Sequence, residues 1–161
     1  MIDLQPISES NFEDVLELKA SENLVAPNWF SLAEAYVSLK QAMDEGELHR
    51  AEMPFAILHD EAVVGFAMVT FEDGEDVNAD GEIFWLSRFM IDEEHQRKGY
   101  GRATMQWLID FAKSKPNGCE AKYFYTSYVP INQDAAKTYA DLGFEKTGQM
   151  LDGEEVVKLV L

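Results

Sequence analysis

Residues 96–102 read Gln96-Arg97-Lys98-Gly99-Tyr100-Gly101-Arg102. They stand between a long apolar run at residues 83–91 and a segment of helical periodicity at 101–115, where Met105, Leu108, Ile109 and Ala112 recur on one face. A strand that passes through a glycine-containing turn into a helix start aims backbone N–H groups, and the positive end of the helix dipole, at one point. Arg97, Lys98 and Arg102 add full charges beside those amides, so the stretch suits a diphosphate. It is not the dinucleotide fingerprint, because the third glycine is missing and no βαβ start precedes it.

Downstream, residues 116–118 (Pro-Asn-Gly) stop the helix and residues 123–129 form a strand. Asn132 then occupies a helix-cap position, a helix covers 133–142 with Tyr139 two turns along, and Gly143 ends it. A strand begins at Phe144, and Asp152-Gly153 turns it into a last strand at 155–161. Upstream, residues 2–6 form a first strand. Ser8 is the expected cap of a helix carrying Phe12, Val15, Leu16 and Lys19. Residues 22–30 are irregular. A second helix runs over 31–43 with Leu32, Ala35, Tyr36, Leu39 and Met43 on one stripe, closed by Gly46. Strands at 54–59 and 63–71 pair as a hairpin at Asp60-Glu61. The loop 72–82 holds six acids and no base, with Gly74 and Gly81 as turn residues. The order β-α-α-β-β-β-α-β-α-β-β predicts a mixed α/β sandwich of helices on one sheet, in a single domain spanning 1–161.

The glycine loop and the segment Asn132-Gln133-Asp134-Ala135-Ala136-Lys137-Thr138-Tyr139-Ala140-Asp141-Leu142-Gly143-Phe144, in this order and spacing, resemble the GNAT superfamily of acyl-CoA-dependent N-acyltransferases. The resemblance covers the whole element order. It implies a mostly antiparallel central sheet of six to seven strands, splayed between strands 4 and 5, with about four flanking helices. It also implies acetyl-CoA as cofactor, bound by the loop Gln96, Arg97, Lys98, Gly99, Tyr100, Gly101 and Arg102, with the amides of Arg97 to Arg102 on its pyrophosphate. Phe89, Met90 and Ile91 would pair with the pantetheine arm as an added strand, and an amide of Met90 or Ile91 would polarise the thioester carbonyl. Asn132 would lie by the pantetheine, and Tyr139 would protonate the departing thiolate as general acid. The family's glutamate on the central strand falls here at Trp85. That leaves Glu82 at the strand's beginning, or Glu72, to act as base through water.

Within the superfamily, residues 85–93 and the acidic loop look most like small bacterial polyamine N-acetyltransferases of the spermidine/spermine type. The candidate contacts for a polycation are Glu22, Trp29, Glu72, Asp73, Glu75, Asp76, Glu82 and Trp85. Related sequences carry an acid near Ser87, which this chain lacks. The alternatives are another amine (a protein N-terminus or lysine, an amino acid, an aminoglycoside) or a CoA-binding module without catalysis.

Composition fits these readings. The chain of 161 residues carries a formal charge of −17. Residues 1–95 hold 22 acids against 4 bases, and residues 96–161 hold 8 against 9. That distribution speaks against nucleic acid and for a cationic substrate on the N-terminal portion and an anionic cofactor on the C-terminal one. Cys119 is the only cysteine, so no internal disulfide and no cysteine-based zinc site is expected. His49, His59 and His95 are scattered, so no metal is expected. No signal peptide or membrane segment is read, and a cytoplasmic location is expected. The apolar strand 156–161 looks like an edge that needs covering, which predicts a homodimer.

Overall fold

Length and β-branched and aromatic content make residues 83–91 a strand, and they form the centre of a seven-stranded sheet in the computed structural model, which describes residues 1–20, 29–46 and 52–161. The elements are β1 (Ile2–Pro6), α1 (Phe12–Leu16), α2 (Trp29–Glu45), β2 (Met53–His59), β3 (Ala62–Glu72), β4 (Ile83–Ile91), α3 (Tyr100–Lys113), β5 (Tyr123–Tyr128), α4 (Gln133–Asp141), β6 (Glu145–Leu151) and β7 (Glu154–Val160). The sheet order is β1-β2-β3-β4-β5-β7-β6. Among the described residues β4 and β5 pair in parallel, and the other five pairings are antiparallel.

Both expected hairpin turns form with their central residues at positive φ: Asp60 at 48° and Glu61 at 71°, Asp152 at 48° and Gly153 at 85°. Such turns match the twist of the flanking strands. Two elements depart from expectation, the first helix and the last strand. Asn11, not Ser8, precedes α1. Its Oδ1 accepts the Ser8 N–H at 2.8 Å while its Nδ2 donates to the Pro6 carbonyl at 3.0 Å, knotting the turn out of β1. The helix also stops before Lys19, because the Lys19 N–H goes to the Asp92 carboxylate at 2.8 Å and the Lys19 carbonyl accepts from the Glu93 N–H at 3.0 Å. Secondly, the last strand is not an edge. β7 lies between β5 and β6, and β6 is the edge.

Helices α3 and α4 cover one face of the sheet. Met105, Leu108, Ile109 and Ala112 pack there with Phe55, Phe71, Phe84, Phe124 and Tyr139. The Phe84 and Phe124 rings meet edge to face at 4.7 Å. On the opposite face, α1 and the start of α2 place Val15, Leu18, Leu32 and Ala35 against Phe66, Met68 and Met90. A β-bulge sorts β4 between these faces. Met68 pairs with Arg88 and Val69 with Leu86, so Ser87 is the extra residue. Phe84 and Leu86 therefore share the α3 face with Phe89 and Ile91, while Met90 sits under α1 and α2. The Ser87 hydroxyl donates to the Met68 carbonyl at 3.0 Å and fixes the bulge.

Candidate active site

β4 and β5 pair only through residues 83–86 and 123–126, ending at Leu86 opposite Thr126. Beyond that pair the strands part, leaving residues 87–91 of β4 facing a gap on the β5 side. Which amides enter the gap follows from alternation along the strand. The Asp92 N–H donates to the Val64 carbonyl of β3 at 2.9 Å. The Met90 carbonyl also points at β3: a Cβ on Gly65 would stand 2.4 Å from it, so only glycine fits there. Met90 thus spends its backbone on β3, and the N–H and C=O groups of Phe89 and Ile91 turn toward the gap. Of the two amides expected to polarise a carbonyl, that of Ile91 turns toward the gap and that of Met90 toward β3.

The gap leads to residues 96–102. The Gln96 amide donates to the Ile91 carbonyl at 3.0 Å and folds the loop back on the strand end. Arg97 takes φ of 59° and Gly99 φ of 83°, two left-handed residues that swing the chain into α3. The first intrahelical bond runs from the Ala103 N–H to the Gly99 carbonyl at 3.1 Å, so the N–H groups of Tyr100, Gly101 and Arg102 are donors outside the helix. Tyr100 stacks on His59 at 4.5 Å, which anchors this helix start to the β2–β3 hairpin. Arg102 reaches Asp141 of α4 at 3.7 Å. Arg97 and Lys98 are exposed and make no ion pair among the described residues. The loop fits a diphosphate on its donor set: orphan amides, a helix N-terminus and two uncommitted cations.

At the apex of the gap the Tyr139 hydroxyl is hydrogen-bonded to Thr126, whose own Oγ1 donates to the Leu86 carbonyl at 3.2 Å. Acid candidate and strand parting point therefore coincide. Burial, with the Glu154 carboxylate adding to it and the Thr126 bond opposing it, pushes the Tyr139 pKa up to about 12. The phenol stays protonated throughout the neutral range. The rings of Tyr128 and Phe144, at 6.0 and 5.6 Å, hold it in place. Asn132 caps α4, its Oδ1 accepting the Ala135 N–H at 3.1 Å. That oxygen is committed to the helix, so the side chain first serves to aim α4.

The acidic loop is anchored on the other face. Its 3₁₀ turn, Glu75–Val77, drops Val77 onto Ile83, Tyr125 and Val156, with Trp85 and Tyr123 packed around them. Glu72 is half-buried at the loop's start, opposite Ile83. Burial, then the Asp76 and Asp73 carboxylates, raise its pKa, and the Thr70 hydroxyl offsets part of this. Glu72, Trp85 and the loop acids are thus brought to one aromatic-floored face. Glu82 is not brought to the apex. It precedes Ile83, four residues and about 13 Å along the strand from Leu86, and its carboxylate accepts the Glu120 N–H at 3.0 Å. Cys119 beside it is buried, with its pKa raised by burial and by the Glu82 charge, which makes it an inert thiol. Glu22 lies outside the described residues, and of Trp29 only the backbone, the first residue of α2, is described. His49 also lies outside them.

Two residues were not singled out by sequence reading. Thr126 holds the Tyr139 hydroxyl. Glu154, at the start of β7, accepts from the Ser127 hydroxyl on the first residue of β5 past the last pair. The available signal was the pattern of β5, where Thr126 and Ser127 interrupt aromatic residues. Among the described residues, no cluster of His, Cys, Asp and Glu could hold a metal, and no helix is long and apolar enough to cross a membrane.

Comparison with known proteins agrees with this geometry. A spermine/spermidine N(1)-acetyltransferase of Bacillus subtilis (strain 168) is 27% identical over 159 residues, 97% of this chain and 96% of its own. Arabidopsis thaliana Naa50, solved with a bisubstrate analogue of CoA and a peptide, superposes with a TM-score of 0.65 at 17% identity over 99% of both chains. The spermidine/spermine N-acetyltransferase SpeG from Vibrio cholerae does so with a TM-score of 0.65 at 15% identity, over 99% of this chain and 95% of that one. Residues 14–144 match the acetyltransferase (GNAT) family. The chain belongs to that family and is an acyl-CoA N-acetyltransferase.

Proposed function

We propose that the acceptor is a polyamine of the spermidine/spermine class, acetylated on a primary amine by direct attack in a ternary complex with acetyl-CoA. The observation that carries this reading is the loop 72–82. Val77 packs on Ile83, Tyr125 and Val156, with Trp85 and Tyr123 around them, so the loop that carries these carboxylates is pinned to an aromatic-floored face of the sheet along the β4–β5 pairing. A flexible polycation is recognised by that combination, carboxylates attracting each ammonium and ring faces stabilising it. Burial first, and then the neighbouring Asp76 and Asp73 carboxylates, raise the pKa of half-buried Glu72, and a bound cation would offset both. The relative from Bacillus subtilis, named for this activity, supports the same substrate class.

Acetyl-CoA supplies an activated thioester. The amides of residues 99–102, with Arg97 and Lys98, hold its diphosphate, and the gap-facing backbone of Phe89 and Ile91 receives the pantetheine as a strand would. The Ile91 N–H stabilises the oxyanion that develops on the carbonyl as nitrogen attacks. Tyr139 gives its proton to the leaving sulfur, and Thr126 then turns its hydroxyl from the Leu86 carbonyl to the phenolate.

The test is thiol release from acetyl-CoA with spermidine, spermine, lysine, an aminoglycoside and a peptide N-terminus compared side by side. Polyamines leading by about tenfold support the reading, since tenfold corresponds to about 1.4 kcal/mol of selective contact. A peptide or aminoglycoside leading by as much overturns it. We further propose a cytoplasmic homodimer that needs no metal. Sedimentation at micromolar concentration returning only the 18.3 kDa species would remove the dimer.

A further inference from the structure

The family's strand glutamate is replaced here by Trp85, yet an ammonium acceptor must lose a proton before it can attack. Each carboxylate near the gap can be placed by register. Glu72 lies opposite Ile83 and Glu82 precedes it, both at the closed end of the β4–β5 pairing. Glu154 is different. Along β7, Glu155 pairs with Tyr128 and Val156 with Ser127. The Tyr128 hydroxyl donates to Glu155 at 2.7 Å on the α3–α4 face, whereas Glu154 takes the Ser127 hydroxyl on the opposite face. That is the face of Trp85, Tyr125 and the acidic loop. Ser127 is the first β5 residue beyond the last pair, and Thr126, holding Tyr139, is that pair's member. Among the described residues Glu154 makes no ion pair, while its neighbour Glu155 is held by Lys146 at 2.9 Å.

We infer that Glu154 is the general base of this enzyme, so that acid and base flank the gap from opposite faces, on Thr126 and Ser127. The inference deepens the proposed reading of the site as one for a primary ammonium and rests on it. Two protons leave nitrogen over the reaction. The first passes to a Glu154 oxygen and on to solvent, freeing the lone pair. Nitrogen then bonds the carbonyl carbon, the carbon–sulfur bond breaks, and sulfur leaves with its electron pair and takes the Tyr139 proton. The second nitrogen proton, released by the same route, replaces the one Tyr139 gave up through solvent. The Ser127 hydroxyl is a positioning group, holding one carboxylate oxygen so that the other meets the amine.

The experiment is the pH profile of kcat/KM for the whole protein and for Glu154→Gln, with acetyl-CoA affinity and Tm measured on the same samples. A base removed should cost roughly 10²- to 10⁴-fold near neutrality. The deficit should shrink as pH rises toward the amine's own pKa of about 10, where free amine needs no base. Acetyl-CoA affinity should be retained. Ser127→Ala, which frees the carboxylate it positions, should lower kcat/KM with acetyl-CoA affinity retained, and should cost nothing further when added to Glu154→Gln. A Glu154→Gln deficit within about threefold, or one equal at every pH from about 6 to about 9, overturns the assignment. If the wild type fails with spermidine and spermine, the polyamine reading falls alone. The same variants are then read with whichever panel amine releases thiol fastest, and the base assignment is judged on that profile.

Discussion

Replacing Tyr139 by phenylalanine removes one oxygen from a site where its structural and chemical roles separate. The ring stays between Tyr128 and Phe144, so no cavity larger than the hydroxyl is made. Thr126 keeps its bond to the Leu86 carbonyl, so no buried donor is stranded. The folding cost is then one net hydrogen bond, about 1 kcal/mol, or a fall in Tm of about 2–4 °C for a chain of this size. Catalysis should lose far more. Without the phenol, sulfur leaves as an unprotonated thiolate, and loss of a general acid costs roughly 10²- to 10⁴-fold in kcat, or about 2.7–5.4 kcal/mol of barrier. Thiol release at saturating acetyl-CoA measures the catalytic loss, thermal unfolding the folding cost, and calorimetry with CoA shows that the cofactor still binds. A kcat within about threefold of wild type, with Tm lowered as expected, would refute Tyr139 as the acid and leave it a packing residue.

Three further outcomes follow from the same geometry. Arg97→Gly removes a cation from the diphosphate loop while relieving a left-handed residue at φ of 59°; acetyl-CoA affinity should fall about fivefold, with Tm unchanged or higher, as calorimetry and unfolding of one sample will show. Val77→Ser unpins the acidic loop from Ile83, Tyr125 and Val156, so KM for the polyamine should rise severalfold with kcat held, and an unchanged KM counts against the loop as a substrate surface. Stability should fall at high pH: the Tyr139 pKa is about 12 in the fold and about 10 when exposed, so its contribution is intact below about pH 10 and lost toward pH 12. The loss is about 2–3 kcal/mol by urea titration, and it is absent in Tyr139→Phe.

What sequence could reveal here was whatever depends on neighbours along the chain. Asp60-Glu61 and Asp152-Gly153 announce hairpins because two-residue turns demand residues that tolerate positive φ. The 96–102 stretch announces a helix start for the same local reason. The site's other half depends on register. Counting by twos along β4 would put Arg88 on the face of Phe84 and Leu86, and the bulge at Ser87 moves it to the other. No local pattern shows that insertion, which exists only relative to β3. Likewise Glu154 looks like one more surface acid after a turn until the antiparallel pairing of β5 with β7 brings it to Ser127. Lys19 shows the limit from another side. Its helical spacing is real, but an aspartate 73 residues away takes its N–H.

The short pairing between β4 and β5 has a mechanical meaning as well. Among the described residues, four residue pairs and the bond from the Lys122 N–H to the Glu82 carbonyl at 3.3 Å are the backbone stitching between a lobe of four strands and a lobe of three, clasped beneath by the Phe84–Phe124 contact. A cofactor arm laid along Phe89 and Ile91 would supply the missing stitches, so its arrival tightens a seam as well as filling a groove. Amide exchange in residues 123–126 is therefore the natural gauge of cofactor loading, slowing when the seam is closed and quickening when it is bare.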